Sequence, residues 1–356
     1  MMKDLTTVGL LVTYQCNVEC KHCGLNCSPK RKEWMSLDEL WDIAIQASDM
    51  GTECIILTGG EPTLIRHEEL CNYFKFIKEE TSISNIRIVT NGHWAKSYEK
   101  AYTILKDWKE AGLDELNVSC GEFHQEYVPI ENIGHAYKAG CDLDFKTVVF
   151  GGEFTKSKRK GKLTPYDFEK VLGYRIKQHH ENSPFVNKNH AIICNNAVCY
   201  GRGKDYIQQE DIPLINYENI SNTCNSTISS ISMHPDGYVT ICCGVGARDV
   251  GFLTIGNWRE EKLQTITDRA KDDLLTNLIS FYGLKSLKEK LMTTHPELGL
   301  IHKLHYTGLC ELCFELFLNK KVSDYLNTNG LELEDELIAK KIMQLSTVRS
   351  SKYVYQ

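Results

Sequence analysis

Thr13-Tyr14-Gln15-Cys16-Asn17-Val18-Glu19-Cys20-Lys21-His22-Cys23 sets three cysteines in a C-x3-C-x2-C run, directly after the apolar stretch Val8-Gly9-Leu10-Leu11-Val12. Three thiolates within eight residues can wrap one small metal centre. A [4Fe–4S] cube normally takes four protein ligands, so a tight set of three points to a cube with one iron left open. Cys27 is close by but falls outside the tight loop, just ahead of Pro29. The competing reading is a zinc knuckle or a group of reduced structural thiols.

A second element weakens that alternative. Glu53-Cys54-Ile55-Ile56-Leu57-Thr58 reads as a short buried strand. It runs straight into Gly59-Gly60-Glu61-Pro62. The two glycines let the backbone turn tightly and approach a ligand closely. Glu61 offers an acceptor, and Pro62 stiffens the exit. A zinc knuckle has no use for such a turn. Placed one strand–helix unit apart, the two motifs resemble the radical S-adenosylmethionine (radical SAM) superfamily. The resemblance implies that Cys16, Cys20 and Cys23 hold a [4Fe–4S] cluster whose open iron takes the amino and carboxylate groups of S-adenosylmethionine. It implies that Gly59, Gly60, Glu61 and Pro62 meet the cofactor's amino group. It also implies a 5′-deoxyadenosyl radical, made with an electron from a donor such as flavodoxin or ferredoxin.

Bulk composition fits a globular chain. Of 356 residues, 42% are hydrophobic and 25% charged, and the net charge is −6. No Lys/Arg run is long enough for a nucleic-acid footprint, and the short cluster at 156–162 reads as a solvated loop. No stretch of about 18 apolar residues predicts a membrane span. The N-terminus has no signal-peptide architecture. Fifteen cysteines without such a signal point to metal clusters in a reducing, cytoplasmic compartment.

Strand–helix alternation organises the first 200 or so residues. Strands are expected from about Val8, Cys54, Ile86, Glu115, Phe145 and Ala191. Ser36-Leu37-Asp38-Glu39 is a capping box, followed by an apolar face at Leu37, Leu40, Trp41 and Ala44. Further helices are expected over 68–79, 97–111, 129–139 and 165–177. The pattern predicts an α/β fold with a parallel sheet and ligands at the carboxyl ends of its strands. The family resemblance sharpens this to a partial (β/α)6 TIM-like barrel, assigned to residues 1–205. It also implies further cofactor contacts: Asn91 in the turn Thr90-Asn91-Gly92, Ser119 at the end of the fourth strand, and Arg202 in Tyr200-Gly201-Arg202-Gly203. Gly203 stands where the family usually has alanine, so that match is loose. His22 occupies the aromatic position of the cysteine loop, where the family offers backbone contacts to adenine.

A second cysteine constellation lies beyond this region. Cys224 is followed by Gly237-x4-Cys242, and far downstream by Cys310-Glu311-Leu312-Cys313. Pro235-Asp236-Gly237 is turn chemistry between two short strands, hence a hairpin. A helix with Leu263, Ile266, Ala270 and Leu274 on one face is expected between the cysteine pairs. Four cysteines could close a second [4Fe–4S] cluster or a tetrahedral zinc site. The arrangement resembles the SPASM extension of radical SAM proteins in its shortened "twitch" form. That resemblance implies one auxiliary cluster on Cys224, Cys242, Cys310 and Cys313, and two clusters in all. Residues 206–320 are assigned to this unit, and 321–356 to a C-terminal helical tail.

Of the remaining cysteines, Cys54 and Cys71 read as core residues. Cys120, Cys194 and Cys199 fall on or after strand ends, and Cys243 follows a cluster ligand. Any of these four could donate a hydrogen atom to a substrate radical. Glu122 and His124 could act as acid or base, or simply cap the next helix. Auxiliary clusters of this type occur mostly in enzymes that modify peptides, so the resemblance implies radical modification of a peptide substrate. The alternatives are oxidation or rearrangement of a small molecule, and a non-enzymatic metal-binding protein. The first strand comes so early that no leader-binding domain is expected, which weakens the peptide reading without removing it.

Overall fold

The computed structural model describes residues 4–156, 162–173, 190–197, 199–330 and 332–338, and leaves the side chains of 190–196 undescribed. Strand and helix alternate through the first part: β1 (Thr7–Thr13), α1 (Leu37–Asp49), β2 (Cys54–Gly59), α2 (His67–Glu80), β3 (Asn85–Thr90), α3 (Tyr98–Glu110), β4 (Glu115–Gly121), α4 (Ile130–Asp142), β5 (Thr147–Phe154), α5 (Pro165–Leu172) and β6 (His190–Asn196). β1 to β6 lie side by side in chain order, all parallel. This is the sheet of a partial TIM-like barrel, and the α/β class read from the sequence holds.

Local chemistry sets the element ends. Ser36 accepts from the Glu39 amide at 3.2 Å, and the Glu39 carboxylate accepts from the Ser36 amide at 2.7 Å, so the capping box forms. Leu40, Ile43, Ala44 and Ala47 carry the buried face of α1, with Leu37 and Trp41 only half-buried at its margin. α5 stops at Leu172 because Gly173 turns left-handed at φ 80°. Residues 174–177 of the expected helix lie outside the described residues. The fifth strand starts at Thr147 rather than Phe145, since the Phe145 amide closes the end of α4 on the Gly140 carbonyl.

The strands alternate between two environments. Leu116, Val118 and Cys120 are fully buried, and Leu116 packs with Val148 beneath Gly140 of α4. The intervening side chains face the barrel interior, where Arg87 pairs with Glu115 at 2.7 Å. β2 is not buried throughout: Ile55 and Leu57 are buried, whereas Cys54, Ile56 and Thr58 are half-buried. Cys54 and Cys71 are likewise only half-buried, at the margin of the core rather than in it.

The sheet does not stop at residue 205. After α6 (Gly203–Tyr206) and β7 (Ile215–Asn216), β8 (Ser230–Met233) pairs in parallel with β1, from Thr7↔Ser230 to Leu10↔Met233. β9 (Tyr238–Thr240) completes the expected hairpin and β10 (Thr254–Asn257) follows, giving a nine-stranded sheet. Tyr14 Oη lies 2.6 Å from His234 Nδ1, and His234 Nε2 lies 3.2 Å from Thr240 Oγ1, tying the hairpin to the loop after β1. α7 (Leu263–Asp272) buries Leu263, Ile266, Thr267 and Ala270. Leu274 is not on this face, because Asp273 is extended and caps the separate α8 (Leu274–Asn277).

A second apolar core gathers residues from Tyr217 to Leu337. It takes in α9 (Leu284–Thr294), β11 (His305–Tyr306), α10 (Leu309–Leu318) and α11 (Lys320–Asn329). Residues 332–338 are helical and bury Leu333 and Leu337 in the same core, so the start of the expected tail is packed. Residues 339–356 lie outside the described residues. Among the described residues no helix is long and apolar enough to cross a membrane.

Candidate functional site

A cavity of about 260 Å³ opens at the carboxyl ends of β2 to β5, beneath the loop that follows β1. Cys16, Cys20, Cys23 and Cys27 line one side. Thr58, Gly59, Gly60, Val89, Thr90, Asn91, Ser119 and Glu153 supply the strand ends, with His22 and His124 beside them. This is the position the sheet rule assigns to a ligand.

Hydrogen bonds hold the cysteine loop. Arg202 donates from its two terminal nitrogens to the Cys20 carbonyl at 2.7 Å and the Cys27 carbonyl at 2.9 Å. Its own amide donates to the Cys23 carbonyl at 3.0 Å. Arg202 therefore staples the loop and does not line the cavity, where the family resemblance had put it. Gly201 makes this approach possible: a Cβ there would sit 2.4 Å from the Gly24 carbonyl oxygen. The Cys27 amide donates to Cys23 Sγ at 3.3 Å, and Asn91 Nδ2 reaches Cys16 Sγ at 3.8 Å. Hydrogen bonding with Cys27 lowers the Cys23 thiol, whereas burial pushes Cys16 up to about 12 and raises Cys20 as well.

The glycine turn behaves differently from expectation. Cβ atoms at Gly59 and Gly60 would lie 2.5 Å from the Thr13 carbonyl oxygen and 2.0 Å from that of Gln15. The close approach is thus to the backbone leaving β1, with both glycines also on the cavity wall. Glu61 is fully buried and does not line the cavity. Its carboxylate accepts from Thr63 N at 3.2 Å, Thr63 Oγ1 at 2.6 Å, Thr90 Oγ1 at 2.7 Å and Asn91 N at 2.8 Å. Glu61 thereby locks the Thr90-Asn91-Gly92 turn and presents Asn91. Pro62 is buried at the start of a short 3-10 turn, also away from the cavity.

Of the hydrogen-donor and acid–base candidates whose side chains are described, only His124 lines the cavity. Cys120 points with Leu116 and Val118 toward the helices, because period-two alternation puts it opposite Ser119. Cys199 donates to the Ile207 carbonyl at 3.4 Å, away from the cavity. Cys243 is exposed and lines neither cavity. The side chain of Cys194 lies outside the described residues. Glu122 accepts from the Thr155 amide at 2.6 Å and pairs with Lys162 at 3.3 Å. Glu153 was missed in the sequence, though an acidic residue at the end of a barrel strand is a usable signal. Its Oε2 lies 2.6 Å from Nε2 of His22, whose side chain itself faces the cavity. Burial and the neighbouring His22 pull the His124 imidazole down to about 4, so it is neutral at pH 7.

The second cysteine set converges as well. Cys224, Cys242, Cys310 and Cys313 line a cavity of about 30 Å³, walled by Ile241, Leu253, Ile279, Leu284, Leu309 and Phe314. Cys310 and Cys313 stand one turn apart at the start of α10, and burial pushes the Cys313 thiol well above its ordinary value. Gly244 lines this second cavity and Val245 lines the first, so one short loop borders both.

Residues 10–141 match the family model of the Radical SAM superfamily. Over part of its length the chain is similar to curated relatives: the GTP 3′,8-cyclase of Cronobacter sakazakii, 37% identical over 31% of this chain and 32% of that one, and that of Vibrio vulnificus, 30% identical over 38% and 41%. The chain spans about a third of the length of the curated relatives it matches. Among solved structures it is similar to BtrN in complex with AdoMet and 2-DOIA, at 18% identity, 82% of this chain, 91% of that chain and a TM-score of 0.47. It is also similar to SuiB of Streptococcus suis bound to S-adenosylmethionine, at 15% identity, 77% and 67% coverage and a TM-score of 0.42.

Proposed function

We propose that the protein is a radical SAM enzyme whose first cavity holds a [4Fe–4S] cluster on Cys16, Cys20 and Cys23 together with S-adenosylmethionine. The observation that carries this reading is the meeting of those three thiols with Asn91, Ser119 and the glycine turn on one cavity at the strand ends. The donor set fits the group. Cys16 and Cys23 already receive N–H contacts of the kind that tune cluster sulfurs. When bound, the pair supplies a 5′-deoxyadenosyl radical after one-electron cleavage of the cofactor. The protein's own part is to hold the loop through Arg202, present Asn91 through Glu61 and leave Ser119 free for a polar cofactor group.

The second set, Cys224, Cys242, Cys310 and Cys313, supports an auxiliary cluster in a SPASM/twitch-type unit. A tetrahedral zinc site with Zn–S near 2.3 Å would draw its sulfurs to about 3.8 Å apart. The same four thiolates suit a [4Fe–4S] cluster, which the resemblance to the twitch extension favours over zinc. Hydrogen abstraction from a peptide is the substrate reading we favour, with a small molecule as the second. The second reading gains from the curated relatives, which are named for a reaction of GTP. Reduced clusters and free thiols suit a cytoplasmic setting and a flavodoxin- or ferredoxin-like donor.

The test is direct. Anaerobically reconstituted, reduced protein should release 5′-deoxyadenosine from S-adenosylmethionine, and Cys20→Ala should release none. Equal product from both proteins would sink the reading. Turnover of candidate peptides against nucleotide or sugar substrates, followed by mass spectrometry, decides the substrate class.

A further inference from the structure

We propose that His22, His124 and Glu153 form a divalent-cation site in the wall of the first cavity, with coordination positions left for a substrate oxygen. The inference rests on the reading of that cavity as the place where cofactor and substrate meet. Each of the three residues brings one ligand atom to within 4.8 Å of the others. They come from three separate segments: the cysteine loop, the turn after β4, and the end of β5. The β4–β5 register pairs Gly121 with Glu153 and so fixes the two strand ends relative to each other. Phe123 stacks on His22 at 5.1 Å, and the His22 and His124 rings meet edge to face at 4.5 Å.

Two observations point to a missing ligand rather than to a self-sufficient cluster. His22 is only 5% exposed, and its Nδ1 has no hydrogen-bond partner. His124 Nδ1 is buried without a well-formed hydrogen bond, although the ring also interacts with the Cys120 backbone, so the weight falls on His22. A buried imidazole nitrogen left without a partner carries a cost that a bound ion or polar group removes. The His22–Glu153 contact at 2.6 Å satisfies one nitrogen of the His22 ring and leaves its Nδ1 unexplained. Among the described residues, Glu153 is also the sole acidic side chain lining the cavity.

Two imidazoles and one carboxylate suit Mn2+, Fe2+, Co2+ or Zn2+. Three protein ligands leave open positions, and all three residues line the cavity, so those positions face it. An ion held there polarises and orients a carbonyl, carboxylate, hydroxyl or phosphate oxygen. The site therefore selects a substrate that presents such an oxygen to the end of β5.

Mn2+ titrated into the anaerobically reconstituted full chain, without S-adenosylmethionine, gives the test by electron paramagnetic resonance. One ion per chain should leave the free-ion signal. Glu153→Gln and His124→Ala should each weaken binding at least about tenfold, while Glu110→Gln on exposed α3 should not. Glu153→Gln keeps the side chain's shape and carries the test if His124→Ala fails to fold, as judged by circular dichroism. No withdrawal of Mn2+ at millimolar concentration, or equal binding by wild type and both variants, overturns the site. Iron is measured in the same samples. Iron present with Mn2+ unbound refutes the cation site alone, and Mn2+ bound with iron absent refutes the cluster reading alone.

Discussion

The two cysteine cavities are built by opposite strategies. The first draws its sulfurs from one short loop and its polar groups from the rigid ends of four adjacent strands. The second collects Cys224, Cys242, Cys310 and Cys313 from segments far apart in the chain, and surrounds them with aliphatic side chains and Phe314. The first has about 260 Å³ to spare for a ligand, the second about 30 Å³. One is shaped to admit and position a molecule, the other to enclose a centre. The loop carrying Gly244 and Val245 borders both, so the second site contributes directly to a wall of the first.

The sharpest way to break this contrast is to empty the first site. A Cys16/Cys20/Cys23→Ala triple variant should lose all S-adenosylmethionine cleavage while keeping about four of about eight irons per chain. Near-zero iron with bound zinc in the wild type would overturn the assignment of both cavities. Emptying the second site should have a split effect. Cys310→Ala, Cys313→Ala and Cys242→Ala should each lose about four irons, keep cofactor cleavage and lose substrate turnover. Cys243→Ala, whose thiol lies outside both cavities, should keep its iron, and loss of iron there would move the ligand register by one.

Arg202 tests whether the first loop depends on support from outside itself. Arg202→Ala removes two charge-assisted hydrogen bonds to loop carbonyls. The expected loss is about 2–4 kcal/mol, read as a lower melting temperature and faster iron loss to a chelator. Arg202→Lys should recover only part of this, because an ammonium cannot bridge both carbonyls at once. Melting curves indistinguishable from wild type would show that the loop holds itself.

A pH-dependent effect concerns the join between the two regions. Burial lowers the His234 imidazole from its ordinary 6.5 to about 4. Between these values the unfolded chain takes up the proton and the folded chain does not. This contribution is complete above about pH 6.5 and is lost toward pH 4, at about 1.4 kcal/mol per pH unit. His234→Gln should flatten the fall in melting temperature between pH 7 and 5. Parallel curves for the two proteins would remove His234 from the account.

What the sequence disclosed follows the same division. The cysteine loop, the glycine turn, the capping box at Ser36 and the six parallel strands were legible because each is specified by neighbours in the chain. The hairpin was legible from Pro235-Asp236-Gly237, but its pairing with β1 was not, since nothing local to Ser230 names its partner. Glu61 was read as a ligand contact, and its bonds to Thr63, Thr90 and Asn91, which no local pattern announces, show a role in holding the neighbouring turn. Arg202 was similarly read toward adenine, although it grips the cysteine loop. Cys120 was drawn in by its place in the chain, whereas the strand period turns it to the helices. Glu153 escaped because its meaning depends on His22 across the barrel mouth.

The docking of β8 on β1 bears on how this protein can be handled. A fragment ending near residue 205 would carry all six parallel strands but would bare one side of β1 from Thr7 to Leu10. Unpaired amides and carbonyls along such a margin recruit strands from other molecules. The fragment should therefore aggregate when produced alone, and a separately supplied segment carrying the hairpin should act as a donor strand that restores solubility. Thr7 to Leu10 is thus a seam between the two halves, and cutting there exposes an adhesive surface.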